Sequence, residues 1–144
     1  MAKELSTSIE INAPADKVWA ALTDFSRYSE WNPFILSAEG VPQQGKQITV
    51  FIQPPGGTGM KFRPVIQALQ PNQELRWLGR LLLPGIFDGE HQFRLEPLAD
   101  NCTRFIHREV FRGLLVPLLW RDLDTKARKG FEDMNQALKQ LVEA

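Results

Sequence analysis

A single cysteine, Cys102, stands in a chain of 144 residues. It excludes an internal disulfide and any cysteine-rich zinc site, so packing must hold the fold together, and a reducing compartment suits it. Neither sign of charge is in excess: 17 Lys and Arg balance 17 Asp and Glu, so no broad positive field favours nucleic acid or an anionic bilayer. No apolar segment approaches the roughly 18–20 residues needed to span a bilayer, and none near the N-terminus has the length of a signal peptide. The expectation is a cytoplasmic protein without stable membrane insertion. Repeats, low-complexity tracts and linker-like stretches are missing too, so one domain is expected over residues 1–144. No Gly-x-Ser-x-Gly elbow or dinucleotide fingerprint occurs. Gly56-Gly57-Thr58-Gly59-Met60-Lys61 lacks the spacing of a phosphate loop and leads into a strand. Neither a cofactor nor a metal is expected.

With 43% hydrophobic residues, the chain can bury a core of ordinary size. Leu5 to Ile11 alternates apolar and polar residues as a strand does, and Pro14 suits the first turn of a helix carrying Val18 and Leu22 on its buried side. Asp24 to Tyr28 continues as a short helical piece that Asn32-Pro33 ends. Six strands follow: Ile35 to Ala38, Gln47 to Gln53, Lys61 to Leu69, Glu74 to Leu81, Phe87 to Glu96 and Thr103 to Arg112. Short turns between them imply an antiparallel meander, with a bulge or edge at Pro64. Leu119, Leu123, Ala127, Phe131, Met134, Leu138 and Leu141 recur at steps of three or four. They predict a long amphipathic helix from about Leu119 to Val142.

The run Ile9-Glu10-Ile11-Asn12-Ala13-Pro14-Ala15-Asp16-Lys17-Val18-Trp19, then Asp24-Phe25 and Trp31-Asn32-Pro33-Phe34, resembles the opening of the START-like (SRPBCC) superfamily in its bacterial polyketide cyclase/dehydrase branch. The resemblance runs from Ile9 to about Leu141. It implies an α+β helix-grip fold, with a curved antiparallel sheet of about seven strands wrapped around a long C-terminal helix and enclosing a cavity for an apolar small molecule. It also places Phe34 near the ligand. Members of such a fold differ in chemistry, so the resemblance implies no one reaction.

Alternation in the last two strands suggests where polar chemistry sits. His91, Phe93 and Leu95 share one face; Phe105, His107, Glu109 and Phe111 share another, opposite Arg104, Arg108 and Arg112. A hairpin closed through Pro97 to Cys102 sets Phe93 opposite Phe105 and His91 opposite His107, gathering His91, His107 and Glu109 on the inner face. Three readings stay open: a satisfied polar group lining a ligand cavity, a general acid/base acting on a carbonyl compound, or a metal site of two histidines and one carboxylate. The expected ligand-lining residues are Phe34, Phe51, Trp77, Phe93, Phe105, Phe111, Leu123 and Met134. Ile48, Val50 and Ile52 form an alternative inward set to Phe51.

Loops Pro54 to Gly59, Leu82 to Ile86 and Gly113 to Pro117 should meet at one end of the meander. They bring Leu82, Leu83 and the run Leu114 to Trp120 beside a glycine-rich flap. This rim suits a gated entrance for a greasy ligand, an anchor for the long helix, or a contact in a homodimer or with a membrane that delivers the ligand. The functional expectation is binding of a hydrophobic or aromatic, lipid- or polyketide-like molecule, oriented by His91, His107 and Glu109. The alternatives are a cyclase/dehydratase with His107 or Glu109 as acid/base, and an interaction protein using the apolar rim.

Overall fold

The computed structural model describes residues 2–81 and 83–144. In chain order the elements are β1 (Lys3–Ile11), α1 (Ala15–Thr23), a 3₁₀ turn (Phe25–Arg27), α2 (Tyr28–Trp31), β2 (Ile35–Glu39), β3 (Thr49–Ile52) and β4 (Met60–Phe62). Then come β5 (Val65–Gln70), β6 (Glu74–Leu81), β7 (Phe87–Ala99), β8 (Cys102–Arg112), α3 (Val116–Asp122), a π-helical turn (Leu123–Ala127) and α4 (Arg128–Glu143). The class is α+β, and the long C-terminal helix packs on a curved antiparallel sheet in the helix-grip manner.

Among the described residues eight strands appear rather than about seven, because the stretch expected as one strand over Lys61 to Leu69 is two. Proline cannot donate to a ladder. Pro64 ends β4, which pairs with β3, and β5 begins after it and pairs with β6. The strands order as β1-β8-β7-β6-β5 and β2-β3-β4. The two sheets meet where the segment before β3 hydrogen-bonds along β5, through Gly45 N–H to the Ile66 carbonyl at 2.8 Å and Ile48 N–H to the Pro64 carbonyl at 2.9 Å. That junction bends the whole into one concave wall.

Local chemistry shapes the short helices. Val18 and Leu22, one turn apart on α1, are buried. The Tyr28 hydroxyl donates to the Leu22 carbonyl at a site fully out of solvent. Asn32 then stops α2: its Oδ1 accepts the N–H groups of Phe34 at 3.0 Å and Ile35 at 2.9 Å, an Asx turn that starts β2 and swings Phe34 into the interior.

The C-terminal helix begins at Val116, three residues before its expected start, and runs on the order of 40 Å at 1.5 Å per residue. Its stripe advances in steps of four over Leu119, Leu123, Ala127 and Phe131, more than the 3.6 residues of an α-turn. The π turn takes up the surplus, with Arg128 N–H bonded to the Leu123 carbonyl, and Arg128 Nη2 meets Asp124 Oδ1 at 2.7 Å alongside it. Phe131, Met134, Leu138 and Val142 are buried, whereas Leu141, expected in the stripe, is 43% exposed because the buried stripe steps four from Leu138 to Val142 and passes over it. Burying each such large side chain contributes roughly 1.5–3 kcal/mol.

Replacing Tyr28 by Phe leaves the buried Leu22 carbonyl without that donor. A loss of about 1–2 kcal/mol is expected in urea unfolding; an unchanged midpoint would show that the bond contributes nothing.

Candidate functional site

A cavity of about 230 Å³ lies between the concave sheet and the helix. It exists because two inward positions carry no side chain: Gly79 on β6 pairs directly with Gly89 on β7, and both line the space. Around them stand Trp77, Leu81, Phe111, Val50, Ile52 and Phe34, with Leu119, Leu123 and Ala127 from the helix. Phe34 reaches this position over Gly130 of α4, where a Cβ would collide with its ring. The π turn therefore forms one wall, and a glycine-made hollow the other.

On β7 and β8 the wall carries a polar corner. The Glu109 carboxylate lies over Gly89, where a Cβ would collide with Oε2, and its Oε1 is 3.3 Å from His91 Nδ1. His91 Nε2 meets His107 Nε2 at 2.6 Å. His107 Nδ1 meets Asn135 Oδ1 of α4 at 2.9 Å, Asn135 Nδ2 donates to Thr7 Oγ1 of β1 at 2.9 Å, and Thr7 Oγ1 donates to the His107 carbonyl at 3.1 Å. His91, His107 and Asn135 are buried. Phe131 stacks on the His107 ring with centroids 4.0 Å apart. Burial in this shell holds the His107 pKa well below the ordinary 6.5; His91 pushes it further down, and the hydrogen bonds it makes to Asn135 and the Phe131 backbone only partly oppose this.

A family model described as polyketide cyclase / dehydrase and lipid transport matches residues 2–143. The chain belongs to this family. No curated protein matches it in sequence. Solved structures share the fold: a START superfamily protein from Mycobacterium smegmatis, at TM-score 0.78 and 20% identity, covers 97% of each chain. The ZhuI aromatase/cyclase from a Streptomyces species, at TM-score 0.78 and 16% identity, covers 99% of this chain and 94% of its own. A point mutant of Thalictrum flavum norcoclaurine synthase with a transition-state analogue, at TM-score 0.76 and 14% identity, covers 99% and 95%.

In this family member the residues expected at the site divide. His91, His107 and Glu109 come together, although the hairpin register differs from expectation: His91 is opposite Glu109, and Phe93 opposite His107. The strands continue to Ala99 and Cys102 past an irregularity at Pro97, which moves the pairing by two residues and so keeps every side chain on its face. Both His91 ring nitrogens are engaged, one with His107 and one with Glu109. Among the described residues no group of three His, Cys, Asp or Glu is placed to hold a metal ion.

Of the expected lining, Phe34, Trp77, Phe111 and Leu123 face the cavity. Four do not. Phe51 points to the other face of β3, its ring over Gly59, while Val50 and Ile52 take the inner side. Phe93 and Phe105 face inward but stack on each other at 6.1 Å, deeper in the core than the glycine hollow. Met134 is fully buried beyond Phe131 along α4. Sequence reasoning missed Asn135, Thr7, Gly79, Gly89 and Gly130. An amide on the buried stripe of a helix, and a glycine inside a helix where it costs about 1 kcal/mol relative to alanine, were the available signals.

At the mouth, Pro54, Thr58 and Met60 stand near Leu81, Leu119 and Asp122. The loops after β6 and β8 are tied together by Leu114 N–H to the Gly85 carbonyl and Leu115 N–H to the Ile86 carbonyl, both 3.0 Å. Gly113, at φ 130°, approaches Ile86 so closely that a Cβ would collide with its carbonyl. Val116 anchors the helix in the core, but Leu83, Leu114 and Leu118 are 71%, 79% and 81% exposed. Leu82, expected in the same rim, lies outside the described residues. Among the described residues no helix is long and apolar enough to cross a membrane.

The depressed pKa of His107 ties stability to pH. Because the unfolded chain takes up this proton more readily, the contribution is complete above about pH 6.5 and declines as acid passes from there toward the lower folded value. The expected loss from this group is up to about 1.4 kcal/mol per pH unit. Urea unfolding between pH 7.5 and 5 should show the slope flattened in His107→Gln, and an equally steep slope in that variant would show that another group is responsible.

Proposed function

We propose that the cavity binds a small hydrophobic or aromatic molecule of one or two rings, oriented by the Glu109 corner. The observation that carries this reading is an apolar space, walled by Trp77, Phe111 and Phe34, whose few polar lining residues are Thr58, His91, Glu109 and Asp122. Its 230 Å³ exceed the roughly 150 Å³ of an apolar cavity that admits benzene and fall short of the roughly 300–1,000 Å³ of drug-sized sites. The size favours a compact ring system over a long acyl chain. Membership of a family of polyketide cyclases, dehydrases and lipid transporters agrees with such a ligand.

Naphthalene tests this without any polar contact. Its fluorescence should report saturable binding to the protein. Gly79→Leu should weaken binding at least about tenfold while leaving the fold at least as stable, because a Cβ there meets nothing closer than Pro64 at 3.7 Å and glycine is itself unfavourable within a strand. Binding undiminished in this variant would place the site elsewhere.

A second reading, acid/base catalysis of the cyclase/dehydrase kind, is supported by the same corner: a carboxylate with one oxygen toward the cavity and a buried imidazole chain behind it. A positioned base typically accelerates proton transfer by about 10²–10⁴-fold. The enolisable bicyclic ketone 2-tetralone should then exchange its α-protons in deuterated water faster with the protein than without it, and Glu109→Gln should abolish the gain. Equal exchange with and without protein would leave binding as the sole role.

A further inference from the structure

The hydrogen-bond chain behind Glu109 has a direction, and it can be followed atom by atom. Thr7 spends its hydroxyl hydrogen on the His107 carbonyl at 3.1 Å, so its oxygen accepts from Asn135 Nδ2 at 2.9 Å. That orients the amide, and Asn135 Oδ1 faces His107 Nδ1 as an acceptor at 2.9 Å. His107 therefore carries its hydrogen on Nδ1. Being buried and held neutral, it offers a bare Nε2, which the His91 Nε2–H reaches at 2.6 Å.

This leaves His91 Nδ1 facing Glu109 Oε1 at 3.3 Å. Oε1 is thereby turned to the imidazole edge, which leaves the other carboxyl oxygen for the cavity. Oε2 lies over Gly89, and a carboxylate oxygen is a hydrogen-bond acceptor. Among the described residues it has no hydrogen-bond partner, and no Lys or Arg lines the cavity.

We infer that the cavity selects a neutral ring compound carrying a hydroxyl, a phenol, enol or alcohol, whose O–H donates to Glu109 Oε2. Thr7, Asn135 and His107 are positioning residues: they fix which His91 nitrogen bears hydrogen and so which face of the carboxyl is left for the ligand. Anionic ligands are disfavoured, since an acceptor faces them and no cation answers their charge. This inference rests on the cavity being a binding site and sharpens what that site takes.

Three probes of one ring system test it at neutral pH: 2-naphthol, 2-methylnaphthalene with a methyl in place of the hydroxyl, and 2-naphthoate. An acceptor set in an apolar cavity and left unpaired is a strong discriminator, so 2-naphthol should bind the wild type at least about tenfold more tightly than 2-methylnaphthalene, with 2-naphthoate weakest. Glu109→Leu should erase or reverse the preference for the hydroxyl. Glu109→Gln should keep it, because the amide N–H can serve His91 Nδ1 while its oxygen faces the ligand, and this conservative rescue separates an oriented acceptor from a merely structural carboxylate. Asn135→Leu should shrink the preference without abolishing 2-methylnaphthalene binding. Equal affinity for 2-naphthol and 2-methylnaphthalene, a preference that survives in Glu109→Leu, or tightest binding of 2-naphthoate would each overturn the inference while leaving the cavity as a binding site. Failure of both neutral probes to bind the wild type would instead remove the binding reading itself, and the inference with it.

Discussion

The contact between His91 and His107, Nε2 to Nε2 at 2.6 Å, is where the polar and apolar halves of this fold are reconciled. Two imidazoles in an aromatic core would each cost several kcal/mol if left unpaired. Here each satisfies the other, and their remaining nitrogens are passed on to Asn135 of the helix and Glu109 of the sheet. The chain of bonds thereby joins β1, β8, β7 and α4. Helix and sheet cannot slide past one another without unpairing buried polar groups, a constraint that non-directional packing of Phe131 against Phe34 and His107 would not impose.

The cavity follows from that constraint together with missing side chains. Helix and sheet are held at a fixed distance by Asn135 and Phe131; toward the C-terminal end of α4 the gap is filled by Met134, Leu138 and Phe105. Toward α3 the inward column on β6 and β7 falls to Gly79 and Gly89, and nothing fills the space the helix spans. The π turn lies at this level. It keeps Leu119, Leu123 and Ala127 on the inner side over a stretch where a regular α-helix would have rotated one of them away. Space, wall and acid corner are thus products of one geometry.

Strand and helix periodicity made the architecture legible, because burial on one face leaves a repeat of two or of about 3.6 in the residues themselves. Glu74 to Leu81 and the buried steps through Leu138 were readable on that ground. The gathering of His91, His107 and Glu109 was readable as well, and for a specific reason: the register differed from expectation by two residues, and a slip of two preserves faces where a slip of one would have reversed them. Depth was not legible. Phe93 and Phe105 share a face with His91 and His107 but lie below the hollow, and alternation says only which side a residue is on. Asn135 and Thr7 escaped notice because each is an ordinary residue until the fold places it against a partner more than a hundred residues away in sequence.

Structures with 14–20% identity to this chain keep its fold over nearly its full length, and an enclosing sheet and helix can therefore be maintained by many sequences. What distinguishes one member from another is the identity of the few inward positions that the fold does not need for packing. In this chain Gly79 and Glu109 are such positions: a Cβ at Gly79 would meet nothing closer than 3.7 Å, Gly89 is left bare for the carboxylate that lies over it, and replacing a carboxylate beside a buried imidazole by a well-packed apolar pair is often neutral or stabilising. Residues that cost stability and complete a single cavity are better explained by what enters that cavity than by the fold around it.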